Sequence, residues 1–191
     1  MEIRLLTDRK LIKKIHKEHL LKDFPENEST PWIYIKAMLD DGKYECYGLY
    51  DGEELLGYAF FLKPKIEGKK YYLLDYLAIF ENGRNRGAGS EFVRLLGRNI
   101  TDADCIIAEI EDPEMAENEE GRSLRTRRMQ FYQRNGYLIT EAKANVRGAD
   151  YCLIEFPSGP IHSDDEIREI YTEIYRNVAP PWFMEKMFEI K

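Results

Sequence analysis

The chain has little of what would place it in a bilayer, in an oxidising compartment or on a nucleic acid. No apolar run approaches the roughly 20 residues that span a membrane, so no membrane partner is expected. Cysteine is scarce: Cys46, Cys105 and Cys152 form an odd, scattered set on predicted strands. That excludes a disulfide framework and leads to the expectation of a reducing, cytoplasmic setting, with the thiols as small core residues. Histidine is scarce too. His16 and His19 share a lysine-rich helical face and His162 falls in a loop. No cysteine or carboxylate is spaced with them as a metal site requires, so no metal is expected and the three read as surface residues. Positive charge is in deficit: 28 Lys+Arg against 35 Asp+Glu leave a formal charge of −7. This argues against nucleic acid as a partner and fits a cationic substrate steered into an acidic cleft. The opening stretch Met1–Leu6 lacks the apolar core of a secretory signal and reads as a strand.

What is present describes a globular chain. With 191 residues, 43% of them hydrophobic and 33% charged, one domain with a full mixed core is expected. Strand Glu2–Leu6 leads through a Thr7 cap into a helix with an apolar stripe of Leu11, Ile12 and Ile15. Phe24-Pro25-Glu26-Asn27 breaks it. Thr30-Pro31 starts a second helix carrying Trp32, Ile33, Ile35, Met38 and Leu39, and Asp41-Gly42 ends it. Tyr44–Tyr50, the turn Asp51-Gly52 and Leu55–Leu62 make a hairpin. After the polar loop Lys63–Lys70 come a strand Tyr71–Ile79, a helix from about Ser90, and a strand Cys105–Glu111 ended by Asp112-Pro113. A helix containing Arg128–Arg134 and two strands, about Tyr137–Val146 and Asp150–Phe156, follow. The order is β-α-α-β-β-β-α-β-α-β-β, without internal repeats.

Chemistry is concentrated after the strand Leu74-Asp75-Tyr76-Leu77-Ala78-Ile79, in the turn Arg84-Asn85-Arg86-Gly87-Ala88-Gly89-Ser90. Glycines at 87 and 89 remove Cβ atoms where a ligand must approach the backbone, and N–H groups opening a helix suit a phosphate-like anion. No Gly-Lys-Ser/Thr follows, so this is not a Walker loop. Glu91 and Phe92 stand where the dinucleotide fingerprint needs a small residue. An ordinary strand-to-helix turn would show the same glycines. Downstream, Phe131-Tyr132-Gln133-Arg134-Asn135-Gly136-Tyr137 closes the next long helix.

Arg-x-x-Gly-x-Gly after a strand, followed at this separation by Phe-Tyr-x-x-x-Gly-Tyr, resembles the two landmarks of the GNAT family of N-acetyltransferases. The resemblance covers about residues 1–156, and Glu81 stands where the family often has proline. It implies an α/β fold of the α+β type: a mixed, mostly antiparallel sheet of about seven strands with helices on both faces. It also implies acetyl-CoA as donor, with direct transfer to a primary amine of a small molecule or peptide through a ternary complex and without an acyl-enzyme cysteine. Leu77, Ala78 and Ile79 would offer backbone to the pantetheine amides and the oxyanion. Backbone amides of Arg84, Asn85, Arg86, Gly87, Ala88, Gly89 and Ser90 would hold the pyrophosphate. Tyr132 would be the general acid for the departing thiolate, unless it is only a core aromatic of its helix. The acceptor pocket would draw on Trp32, Tyr34, Arg147 and Tyr151.

Residue types leave the general base open. Asp75 shares strand parity with Leu77 and Ile79, and Glu109 and Glu111 share a face of the next strand. A carboxylate in a partly buried cleft has its pKa raised and suits proton acceptance. Asp75 and Glu109 rank together with Glu111 behind, and salt bridges to the arginines of Arg122–Arg134 are the competing role. Arg125, Arg128 and Tyr132 share one helical face, where the arginines would meet a phosphate, a substrate carboxylate or a neighbouring acid.

Residues 157–191 fall outside the resemblance. Ile167, Ile170, Tyr171, Ile174, Tyr175 and Val178 recur at helical spacing behind a Ser163 or Asp164 cap. Pro180-Pro181 stops that helix, and Trp182, Phe183, Met184, Met187, Phe188 and Ile190 form an aromatic tail. The extension is expected to cover the protein's own core or to make a homodimer contact. Two other functions compete with catalysis: a non-catalytic acyl-CoA sensor of the same fold, and an interaction module acting through the tail.

Overall fold

The computed structural model describes every residue except Asn85 and Ser158. Chain order is β1 (Glu2–Leu5), α1 (Arg9–Ile15), α2 (Trp32–Asp40), β2 (Tyr44–Asp51), β3 (Glu54–Leu62), β4 (Tyr71–Ile79), α3 (Ala88–Asn99), β5 (Cys105–Glu111), α4 (Glu119–Arg134), β6 (Leu138–Val146), β7 (Ala149–Phe156), α5 (Asp164–Val178), α6 (Pro181–Lys186) and β8 (Phe188–Ile190). One sheet holds all eight strands in the order β1-β2-β3-β4-β5-β7-β6-β8. Among the described residues only the β4–β5 pair is parallel. The mixed, mostly antiparallel sheet is as expected, with one strand more than the pattern suggested. Phe188-Glu189-Ile190 adds to the β6 edge through Ala144↔Ile190 and Val146↔Phe188. Among the described residues no helix is long and apolar enough to cross a membrane.

Alternation along the strands builds two cores. On one face α1, α2 and α5 bring Ile12, Ile35, Ile167 and Ile174 against Phe60, Leu73, Ile107 and Leu153. On the other, α3 and α4 bring Phe92, Leu96 and Tyr132 against Leu56, Phe61, Leu74 and Ile154. The apolar stripe of α5 is thus buried against the sheet, and Tyr171 is 0% exposed. A capping box starts that helix: Ser163 Oγ accepts from the Glu166 N–H, and the Glu166 carboxylate accepts from the Ser163 N–H.

One histidine departs from the surface reading. α1 runs on through a π-helical turn, His16–Leu20, and a last turn, Leu21–Asp23. The wider turn rotates His16 into the core, where its Nε2–H donates to the Thr30 carbonyl at 2.9 Å. His19 stacks on Phe80 with ring centroids 4.0 Å apart.

Candidate active site

The site begins where β4 and β5 stop pairing. Their parallel ladder runs from Tyr71↔Cys105 to Leu74↔Ala108 and ends there. Beyond it β5 continues against β7 as far as Glu111↔Tyr151, while β4 follows β3 to Gly57↔Ile79. The strands part, leaving one backbone edge of β4 from Asp75 to Ile79 without a strand partner. A cleft of about 370 Å³ fills the gap, lined among others by Leu77, Ala78, Ile79, Arg84, Glu109 and Tyr132.

A β-bulge at the parting point corrects the expected facing of Asp75. Phe60 pairs with Tyr76 and Phe61 with Leu74, so Asp75 is the extra residue. Parity flips across it. Leu77 and Ile79 pack with the α3–α4 core, whereas Asp75 lies on the opposite face, accepting a hydrogen bond from the Tyr44 hydroxyl. Burial, with Glu109 adding to it, raises the Asp75 carboxyl to about 7 despite that bond.

Glu109 lies on the same side as Asp75. Its Oε1 accepts from the hydroxyls of Tyr171 at 2.5 Å and Tyr175 at 2.7 Å. Burial raises its pKa, and the two hydroxyls oppose the shift. Neither Asp75 nor Glu109 pairs with an arginine of α4. That role belongs to Glu111, which binds Arg125 at 2.9 Å and Arg128 at 2.5 Å. Arg125 also donates to the Asp112 carbonyl. Both arginines are thereby engaged by protein acceptors at the cleft rim.

Tyr132 reaches the cleft from α4 and is 9% exposed, with Tyr137 packed edge-on against its ring. Burial raises its phenol to about 12, so it stays protonated at neutral pH and can donate. Among the described residues its hydroxyl has no hydrogen-bond partner.

At the far end of the cleft, Gly87 precedes α3 with φ +72°, a left-handed conformation that other residues rarely adopt. Among the described residues a Cβ there would meet nothing within 4 Å, and no side chain caps the helix start. Space and the first-turn N–H groups of Ala88, Gly89 and Ser90 thus suit an anion. A Cβ on Gly89 would come within 3.4 Å of the Phe131 ring, about van der Waals contact. Arg84 turns back, its Nε donating to the Ile79 carbonyl at 3.3 Å. Arg86 lines a shallow depression with Gly87, Ser90 and Asn135. Asn85 lies outside the described residues.

A second cavity, of about 120 Å³, adjoins the first, and Glu28, Asp75, Glu109 and Tyr151 line both. Of the four residues named for an acceptor pocket, Tyr34, Arg147 and Tyr151 line this cavity; Trp32 does not, and its ring centroid lies 5.7 Å from that of His16. Sequence reading missed Glu28, whose pKa burial raises, and the hydroxyls of Tyr44, Tyr171 and Tyr175. The one signal available was Tyr171 and Tyr175 at an i, i+4 spacing, which puts two hydroxyls on one helical face.

Away from the cleft, Cys105, Glu155 and His162 gather with their ligand-type atoms within 4.8 Å. No spacing in the chain suggested this grouping, because each residue comes from a different element. Glu155 is 1% exposed and accepts from the His162 backbone N–H at 3.2 Å, with the ring Nδ1 2.6 Å from its other oxygen. The carboxylate anchors the loop leading into α5.

No family model matches the sequence and no curated relative matches it. Solved structures do match in shape. A protein from Bacteroides thetaiotaomicron assigned to the GNAT acetyltransferases superposes with a TM-score of 0.72 at 20% identity, covering 92% of this chain and 96% of its own. The aminoglycoside 6'-N-acetyltransferase of Enterococcus faecium gives 0.62 at 16% identity over 85% of this chain and 100% of its own. A Bacillus subtilis acetyltransferase in complex with CoA gives 0.55 at 17% identity over 81% and 97%. The chain has the fold of the GNAT-family acetyltransferases.

Proposed function

We propose that the protein is an N-acetyltransferase of the GNAT family that moves an acetyl group from acetyl-CoA directly to a primary amine. The observation that carries this reading is the parting of β4 from β5, which opens a backbone edge and a cleft between a free phenol and two half-buried carboxylates. The donor fits the residues present. The pantetheine arm would lie along Leu77–Ile79 as an added strand, and the pyrophosphate would sit on the amides opening α3, where Gly87 leaves room. Acetyl-CoA supplies an activated acyl group as a thioester.

The chain's own groups then handle protons and position. Asp75 and Glu109 stand at the junction of the two cavities, where the amine would arrive. A carboxyl near 7 is matched to taking a proton from an ammonium at neutral pH, leaving nitrogen free to attack the carbonyl carbon. Backbone N–H groups around Leu77–Ile79 would meet the developing oxyanion. Tyr132 would donate its proton to the thiolate sulfur as the C–S bond breaks. The ammonium loses two protons in all: one goes to the carboxylate, and the one released as the adduct collapses to the amide restores the proton that Tyr132 gave to sulfur.

Acetyl-CoA should raise the melting temperature in a concentration-dependent way, because it binds the folded state alone. Gly87→Val should abolish that rise by placing a branched side chain where the pyrophosphate must approach and by straining φ. A melting curve of the wild-type protein unmoved by saturating acetyl-CoA would refute the proposal.

A further inference from the structure

Among the described residues, the second cavity carries one cation without a side-chain hydrogen bond or close ion pair. Arg147 sits in the β6–β7 turn with φ +54°, a conformation uncommon outside glycine and asparagine. Its backbone is pinned from two sides: its N–H donates to the Met187 carbonyl at 2.8 Å, and the next residue, Gly148, donates to Asn145 Oδ1 at 3.1 Å. The side chain is half-buried, with the guanidinium 5.4 Å from the Phe183 ring centroid. Among the described residues it makes no hydrogen bond and no ion pair. It is also the only arginine or lysine among the described residues lining this cavity.

The remaining charges there are the carboxylates of Glu28, Asp75 and Glu109, at the junction with the donor cleft. Met38, Leu62, Val146, Val178 and Trp182 add apolar wall to the same cavity, and the charge of Arg147 reaches both Asp75 and Glu109. A small cavity that holds acids, one guanidinium within reach of their charge, and apolar wall complements a zwitterion with an apolar side chain. Accepting the acetyl-transfer reading, on which this step rests, we infer that the acceptor is a free apolar amino acid. Its amine faces Asp75 and Glu109, its carboxylate pairs with Arg147, and its side chain lies against the apolar wall.

Other amines fit less well. A simple arylalkylamine satisfies the acids and the wall but leaves the half-buried guanidinium unpaired. A polyamine or aminoglycoside brings further ammonium groups into a region that offers them apolar surface and a like charge. A bidentate Arg–carboxylate pair, by contrast, adds both attraction and orientation.

Calorimetric titration of the full chain, with and without CoA, tests this. The ligands are L-phenylalanine, L-leucine, phenethylamine, spermidine and kanamycin. The two amino acids should bind about 10- to 100-fold more tightly than phenethylamine, the scale of a charge-assisted bond. Arg147→Gln should abolish the preference, phenylalanine and phenethylamine then binding about equally to the variant, with the fold checked by circular dichroism. Arg147→Lys should retain part of the preference. Phenethylamine, spermidine or kanamycin binding as tightly as phenylalanine, or an Arg147→Gln variant with undiminished preference, overturns the inference. So does an amino acid that fails to bind. CoA titrated into the same samples separates the two claims. Lost CoA binding with amino-acid binding intact removes the acetyl-transfer reading, whereas the reverse result removes only the acceptor assignment.

Discussion

Along Tyr71–Leu74 and Cys105–Ala108, β4 and β5 are paired and every residue is buried. Along Asp75–Ile79 and Glu109–Glu111 the same strands have parted, and three of their residues are carboxylates. Nothing in backbone propensity separates the halves, for both are rich in β-branched, aromatic and aliphatic residues. The difference is what fills the space between the strands. In the first half it is ladder hydrogen bonds and two apolar cores. In the second, a bulge turns Asp75 towards Tyr44, and tyrosines from α5 reach Glu109. A charged group survives burial only with partners, and here the partners are hydroxyls rather than cations. Hydroxyls leave the carboxyls with raised pKa values, whereas Arg125 and Arg128 hold Glu111 as part of an ion pair.

Substitutions in each half should therefore act on different properties. The largest effect is expected in the open half, at Tyr132→Phe, which should lower turnover by roughly 100- to 10,000-fold while leaving acetyl-CoA binding near wild type. Steady-state rates with a working amine, alongside a CoA titration, check this. Wild-type turnover in the variant, with chemistry rate-limiting, would make Tyr132 a packing residue like its neighbours in the closed half.

In the closed half, Leu73→Ala should cost about 2–5 kcal/mol of stability, because Leu73 is 0% exposed and the cavity left behind cannot close fully. Urea denaturation measures it. The variant should keep its activity per folded molecule at temperatures well below its midpoint. A comparable loss of specific activity would show that the two halves are coupled, and that the comparison drawn between them is too sharp.

The last effect is a slope. In the folded protein the Asp75 carboxyl titrates at about 7, above its unfolded value of 3.8. Between those values the folded state holds the extra proton, so stability falls as pH rises through this window, by at most about 1.4 kcal/mol per pH unit from this group. Asp75→Asn should flatten that part of the stability–pH curve, while the contribution of Glu109 stays. Thermal midpoints of both proteins from pH 4 to pH 8 give the comparison. Identical slopes would mean that Asp75 is solvated like an ordinary carboxylate.

The sequence by itself determined the elements and much of their order. Alternation marked the strands, Asp51-Gly52 the hairpin, and Ser163 the start of α5, because these signals are local: they need only neighbours along the chain. The glycine turn was legible for the same reason. Gly87 has the left-handed φ and open space that a ligand loop needs. Tertiary structure decided the rest. The bulge that reverses Asp75 depends on the register against β3, and a one-residue shift in pairing moves a side chain to the other face. His16 enters the core through a π-helical turn, while Cys105, Glu155 and His162 meet only because β5, β7 and the loop before α5 converge. The hydroxyls over Glu109 come from residues 62 and 66 positions away, and Arg147 shares a cavity with acids from three other segments. Long-range packing sets which groups share a low-dielectric space, and that environment, more than residue type, decides which carboxyl is raised and which is paired.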